Sequence, residues 1–119
     1  MADDEPHIRR ILTTLLENAD FAVDAVEDGD AAYERLQGAT PYVMAVMDIM
    51  MPGSTGLQVL ESLKGLSHRD ELPVVILTAK GQDADRAAAL ERGARAFMTK
   101  PFSPKKLLAR VDQIMLEAS

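Results

Sequence analysis

Five side chains stand out because each borders an apolar run: Asp3 and Asp4 near the start, Asp48 after Val43–Met47, Thr78 after Val74–Leu77, and Lys100 after Ala96–Thr99. They offer three carboxylates, one hydroxyl and one ammonium. Three carboxylates brought together repel, which raises at least one pKa unless a cation shares the site. Oxygen donors without His or Cys select a hard ion, and Mg²⁺ is the obvious candidate. Mg²⁺ binds through one or two carboxylates plus waters and phosphate oxygens, so the set calls for a phosphate to complete it. A carboxylate can itself be the nucleophile and become an aspartyl phosphate. Lys100 would then neutralise one phosphoryl oxygen as a point charge, and the Thr78 hydroxyl would donate to another. Each group has a place in phosphoryl transfer, which is mostly positioning and charge stabilisation. Taken singly, every one has a plainer reading. Asp48 could be a turn former, Asp3 and Asp4 favourable charges at a helix start, Thr78 a strand residue, and Lys100 a surface lysine. The joint placement carries the reading.

The elements that must position these groups alternate. Pro6 suits a first helical turn, and Ile8, Ile11, Leu12, Leu15 and Leu16 follow on one face. Phe21–Val26 reads as a strand ended by Asp28-Gly29, and a short helix then runs to Leu36 and closes at Gly38. Val43–Met47 is a strand-length apolar run, and Leu57–Leu66 reads as a helix with Leu60 and Leu63 inward. Pro73 opens a strand over Val74–Thr78, Ala84–Arg92 is a helix stopped by Gly93, Ala96–Thr99 is a last strand, and Pro104 begins a final helix. Strands apolar at every position are buried on both faces, as in a parallel sheet between helix layers. The expected class is therefore α/β, doubly wound, with the ligand site beyond the carboxyl ends of the strands.

Composition narrows the rest. At 119 residues the chain is expected to form one domain, 1–119, and 47% hydrophobic with 27% charged residues is enough for a core. A net charge of −6 argues against a nucleic-acid surface. There is no cysteine, and His7 and His68 match no metal-ligand spacing and are expected to face solvent without a role. No apolar run is long enough for a bilayer, and the acidic start is unlike a signal peptide, so a cytoplasmic protein without membrane contact is expected.

Asp3-Asp4-Glu5-Pro6, Met47-Asp48-Ile49-Met50-Met51-Pro52, Leu77-Thr78-Ala79 and Lys100-Pro101-Phe102, together with Gly56 and Gly93-Ala94, resemble in order the signature segments of the response-regulator receiver domains of two-component signalling. The resemblance runs through nearly the whole chain. It implies a flavodoxin-like sheet of strand order 2-1-3-4-5, like that of chemotaxis regulators. It also implies that Asp48 accepts a phosphoryl group from a sensor histidine kinase. By the same resemblance Asp3 and Asp4 hold Mg²⁺ with Asp48 and the Met50 backbone carbonyl, Thr78 and Lys100 bind phosphoryl oxygens, and Phe97 is the switch aromatic. A downstream effector domain or protein would read the result. Phe102-Ser103-Pro104 and Leu107–Val111 resemble the subfamily that drives winged-helix DNA-binding domains, although Arg95 stands where many of its members carry an acid.

One departure is large. In the family several apolar residues precede the acidic pair and form the central first strand, whereas here only Met1 and Ala2 do. Burying each large apolar side chain contributes roughly 1.5–3 kcal/mol, and a whole domain has only ~5–15 kcal/mol. The expectation is a shortened receiver, with the first strand largely missing, that is dimeric or repaired by strand exchange. Other functions compete. A receiver that folds without being phosphorylated is one. An aspartate-nucleophile phosphatase is another, but it would need an Asp where Met50 stands. A flavodoxin-like cofactor carrier would need a Gly/Ser/Thr-rich loop in place of Asp3–Pro6. No enzyme activity is expected beyond taking and slowly losing the chain's own phosphoryl group.

Overall fold

The computed structural model describes residues 1–78, 83–100 and 103–118. Ala79, Pro101 and Phe102, which the sequence reading drew on, lie outside these residues. Among the described residues five α-helices and three strands follow in the order α1 (Pro6–Asn18), α2 (Gly29–Gln37), β1 (Ala45–Asp48), α3 (Gly56–Ser62), β2 (Val74–Thr78), α4 (Asp83–Glu91), β3 (Ala96–Thr99) and α5 (Pro104–Ala118). Local chemistry sets several boundaries. Pro6 opens α1, and the Asp28 carboxylate caps α2 by accepting from the Ala31 N–H at 2.7 Å. Thr55 and Gln58 form a reciprocal capping box at α3. Gly93, at φ +99°, ends the α4 turn in a conformation that disfavours other residues.

The strands are parallel in the order β1-β2-β3, with Asp48 opposite Leu77 and Thr78 opposite Thr99. Alternate strand residues enter two cores. Ala45, Met47, Val74, Ile76 and Phe97 pack with Leu36 of α2, Val59 and Leu60 of α3 and Ala89 of α4. Val46, Val75, Leu77 and Ala96 pack with Leu12 and Leu16 of α1 and with Leu107, Val111 and Ile114 of α5. Helices cover both faces, as continuous apolar strands require.

The Phe21–Val26 strand does not form as read. Only Val26 pairs, in a parallel bridge to Ala2, which bridges Met47 on its other side. Backbone order across the sheet is thus Val26, Ala2, β1, β2, β3. This is the order 2-1-3-4-5, with Met1–Asp3 in the central place. Residues 21–25 form no ladder. The Val43–Met47 run is shortened: the chain bends at Val43, which is 57% exposed, and β1 begins at Ala45. The sequence helix from Leu57 to Leu66 breaks at Ser62 into two 3₁₀ turns, Leu63–Gly65 and Ser67–Arg69, with Leu60 and Leu63 inward as expected.

His68 is exposed but not idle. As the Nε2–H tautomer it donates to the carbonyls of Leu36 and Gly38, each at 3.1 Å. Buried Arg69 donates to the same two carbonyls at 2.9 Å and lies over the Tyr42 ring. Together they satisfy the carbonyls that α2 leaves open at its C-terminus.

Candidate phosphoryl-acceptor site

Asp48 is the last residue of β1, where the strand leaves the sheet. Its side chain is buried, with Oδ1 accepting from the Met50 N–H at 3.1 Å and Oδ2 from the Lys100 ammonium at 2.7 Å. Burial pushes its carboxyl above the usual range, and the hydrogen bonds from Lys100 and from the Met50 amide only partly offset that. Gly56 lets the chain turn back tightly here: a Cβ at that position would sit 2.3 Å from the Asp48 carbonyl oxygen. The loop between them is tied to α2 by Asp30, which accepts from the Ser54 amide at 3.2 Å and from its hydroxyl at 2.8 Å.

Asp3 follows the central bridge at Ala2 and is 1% exposed. Its Oδ2 accepts from Lys100 at 2.6 Å, and its Oδ1 accepts from the Glu5 N–H at 3.0 Å. Arg9 of α1 donates to the Asp3 carbonyl at 2.7 Å and fixes the turn into the helix. Asp3, Asp4, Glu5 and Asp48 each bring a carboxylate oxygen within 4.8 Å of the others, Asp3 and Asp48 buried, Asp4 and Glu5 exposed. These are hard oxygen donors with a solvent-facing side, a set that fits a small divalent cation keeping part of its water shell.

Lys100 ties the cluster together across nearly the whole chain. Its side chain is only 8% exposed, and Glu5 lies 3.6 Å from the ammonium, so three carboxylates surround one cation. Burial opposes its charge, but the hydrogen bonds to Asp3 and Asp48 outweigh that and raise its pKa. The Lys100 N–H donates to the Thr78 carbonyl at 2.7 Å, which anchors the end of β3 to the end of β2. Thr78 is itself buried at the carboxyl end of β2. Phe97 is buried in the core on β3 opposite Ile76, with the Arg86 guanidinium of α4 5.1 Å from its ring centre. The ring is therefore inward. The Met50 side chain is 61% exposed.

The site thus unites Asp3, Asp4, Asp48 and Lys100, with Thr78 at the neighbouring strand end and Phe97 deeper on β3. The sequence reading missed Glu5 as a member of the acidic cluster; its adjacency to Asp3-Asp4 was the available signal. Nothing local announced the pairing of Lys100 with the acids.

A doubly wound parallel sheet with an acidic pocket at its carboxyl edge, pinned by one lysine, defines a receiver-type fold and site. The model of the "Response regulator receiver domain" matches residues 1–112, and the chain belongs to that family. It is 40% identical over 119 residues to the phosphate regulon transcriptional regulatory protein PhoB of Escherichia coli, covering all of this chain and 52% of that protein. It is 36% identical over 119 residues to the transcriptional regulatory protein ResD of Bacillus subtilis, covering all of this chain and 48% of ResD. The chain spans about half the length of these curated relatives. The receiver domain of the Francisella response regulator 1452 superposes with a TM-score of 0.89 at 28% identity, covering 99% of this chain and 95% of that one. Among the described residues no helix is long and apolar enough to cross a membrane.

Proposed function

We propose that this chain is a phosphorylation-controlled signalling switch with Asp48 as acceptor. The observation that carries the proposal is the buried Asp48 carboxylate, held between the Lys100 ammonium and the Met50 amide at the edge of an acidic cluster. The donor is a phosphohistidine on a sensor histidine kinase. A carboxylate oxygen of Asp48 bonds to phosphorus, the phosphorus–nitrogen bond breaks, and the imidazole leaves with the electron pair and takes up a proton. Asp3, Asp4, Asp48 and the Met50 carbonyl would hold Mg²⁺, with Glu5 facing the same space. The ion supplies charge neutralisation for the phosphoryl oxygens. Lys100 neutralises one of those oxygens and the Thr78 hydroxyl donates to another.

Phosphorylation then favours one arrangement of the face formed by α4, β3 and α5, through Thr78 and Phe97. An effector domain or separate protein reads this face in the cytoplasm. The likeness to PhoB and ResD favours transcriptional control as the output, with the acidic receiver itself making no nucleic-acid contact. Catalysis is limited to the chain's own phosphorylation and its slow reversal. A second reading is a receiver that folds but takes no phosphoryl group. Burial of Asp3 against Lys100, with Asp48 beside it, favours the active reading. Incubation with phosphoramidate tests the choice. About one acid-stable, base-labile phosphate per chain is expected with MgCl₂ and none with EDTA; a folded chain that takes up no phosphate in either condition contradicts the proposal.

A further inference from the structure

Charge is unevenly divided along the chain. Residues 1–78 carry 14 acids and five bases, whereas residues 84–117, which span nearly all of α4, β3 and α5, carry four acids and seven bases. A molecule of net charge −6 thus has a basic end. Contacts and helix spacing gather four of those bases beside β3, the last strand of the sheet. From α4, the Arg86 guanidinium lies 5.1 Å from the Phe97 ring centre. Arg95, just ahead of β3, pairs with Glu117 of α5. Arg110 of α5 donates to the Arg95 carbonyl at 3.3 Å and to the Gln113 side chain at 2.8 Å, and Gln113 donates to Glu117 at 3.4 Å.

Those contacts fix which side of α5 borders the strand. Lys106, one turn before Arg110, falls on the same stripe, while Asp112 falls on another side of the helix. On α4, Leu90 lies one turn beyond Arg86, and Glu91 turns away from that stripe. Arg86, Arg95 and Lys106 are exposed, Arg110 is half-buried, and Leu90 is 48% exposed. Among the described residues the acid on this face is Glu117, which Arg95 already engages. The face therefore has a surplus of positive charge around an exposed apolar side chain.

We infer that this face docks an acidic protein segment, which brings carboxylates to Arg86, Arg95, Lys106 and Arg110 and an apolar residue to Leu90. The inference takes the α4–β3–α5 face from the proposed switch, rests on that reading for it, and names its partner. A second copy is a poor occupant. In a two-fold pairing each base would meet its own counterpart, and like charges in contact repel. Pairing the face with the acidic surface of another copy would propagate from chain to chain without closing. Duplex DNA would run its phosphates past four bases onto a surface where acids outnumber bases. A carboxylate that pairs with Arg86 also competes for the guanidinium lying over Phe97, so the partner and the switch ring share one contact.

The test titrates the full chain, with and without acetyl phosphate and MgCl₂, against the fluorescein-labelled peptide Glu-Leu-Ala-Glu-Glu-Leu-Leu-Glu-Ala-Leu-Glu. Its analogue with Lys at every Glu and a duplex DNA of mixed sequence run alongside. Fluorescence anisotropy reads affinity, and sedimentation reads self-association. The acidic peptide is expected to bind saturably, roughly tenfold more tightly than the Lys analogue, and to weaken as NaCl rises. Net charge alone predicts the opposite order of the two peptides. Lys106→Glu should weaken the acidic peptide roughly fivefold, whereas Lys64→Glu, the same charge change at an exposed position on the far side of α3, should stay within about twofold of wild type. Leu90→Ser should also weaken it with the Tm unchanged. Affinity that is the same in Asp48→Asn and in the phosphorylated chain supports the docking face and contradicts the switch, so the two readings fail separately. Tighter binding of the Lys analogue or of DNA overturns the inference, as do equal effects of Lys106→Glu and Lys64→Glu. Self-association without peptide that Lys106→Glu abolishes would assign the face to a second copy and overturn it too.

Discussion

Lys100→Met should convert the site from self-neutralised to cation-dependent. The wild-type ammonium lies 2.6 Å from Asp3 and 2.7 Å from Asp48, whose side chains are 1% and 5% exposed. Removing it leaves two buried carboxylates that repel each other with no cation between them. Breaking a buried pair from one side costs about 3–5 kcal/mol, a large share of the ~5–15 kcal/mol that holds a domain together. Urea unfolding in EDTA at neutral pH should therefore show a loss of about 3 kcal/mol. Bound Mg²⁺ can supply the missing charge, and a ligand at a hundredfold excess over its Kd stabilises by about 2.7 kcal/mol. MgCl₂ should thus stabilise Lys100→Met more than the wild type, where Lys100 competes for the same oxygens. The sign with pH follows from Asp48. Its pKa is already raised by burial, and losing Lys100 raises it further, so the variant's deficit should shrink as pH falls and the buried charge is protonated. A variant as stable as wild type in EDTA would refute the reasoning, as would a larger Mg²⁺ effect on the wild type.

Further outcomes follow from other contacts. Gly56→Ala places a Cβ 2.3 Å from the Asp48 carbonyl oxygen and should cost about 1–3 kcal/mol in urea unfolding while slowing phosphorylation. Met50→Asn puts an amide at an exposed position two residues past the acceptor, where it can orient water, and should speed dephosphorylation roughly tenfold in a phosphate-release assay. The Asp24 carboxyl is held below its usual range chiefly by the Tyr42 hydroxyl, with burial opposing and Arg35 assisting. Its contribution is present above the unfolded pKa of ~3.9 and lost as pH falls through the lowered folded value. The Tm gap between wild type and Asp24→Asn should accordingly be widest near neutrality and close in acid.

Sequence patterns located the strand ends well, because β1 and β2 are apolar at every residue before the last and a polar residue closing such a run is conspicuous. That is how Asp48 and Thr78 were found, and Lys100 by the same logic on β3. What pattern could not show was contact across long separations. Lys100 meets Asp3 across 97 positions, and Arg69 reaches the end of α2 across 33. The apolar period of Phe21–Val26 suggested a strand, yet a strand exists only where a neighbour pairs with it, and pairing reaches no further than Val26. Conversely the short start, which suggested an empty central place, still seats Ala2 between Val26 and Met47 and buries Asp3 at the site.

The central claim is that Asp48 takes a phosphoryl group at an assembled acidic site. Intact mass after incubation with acetyl phosphate and MgCl₂ tests it most directly, with Asp48→Asn alongside. The account predicts a single phosphoryl adduct on the wild-type chain and none on the variant. An adduct that persists in Asp48→Asn, or a folded wild-type chain that gains no mass, would contradict it.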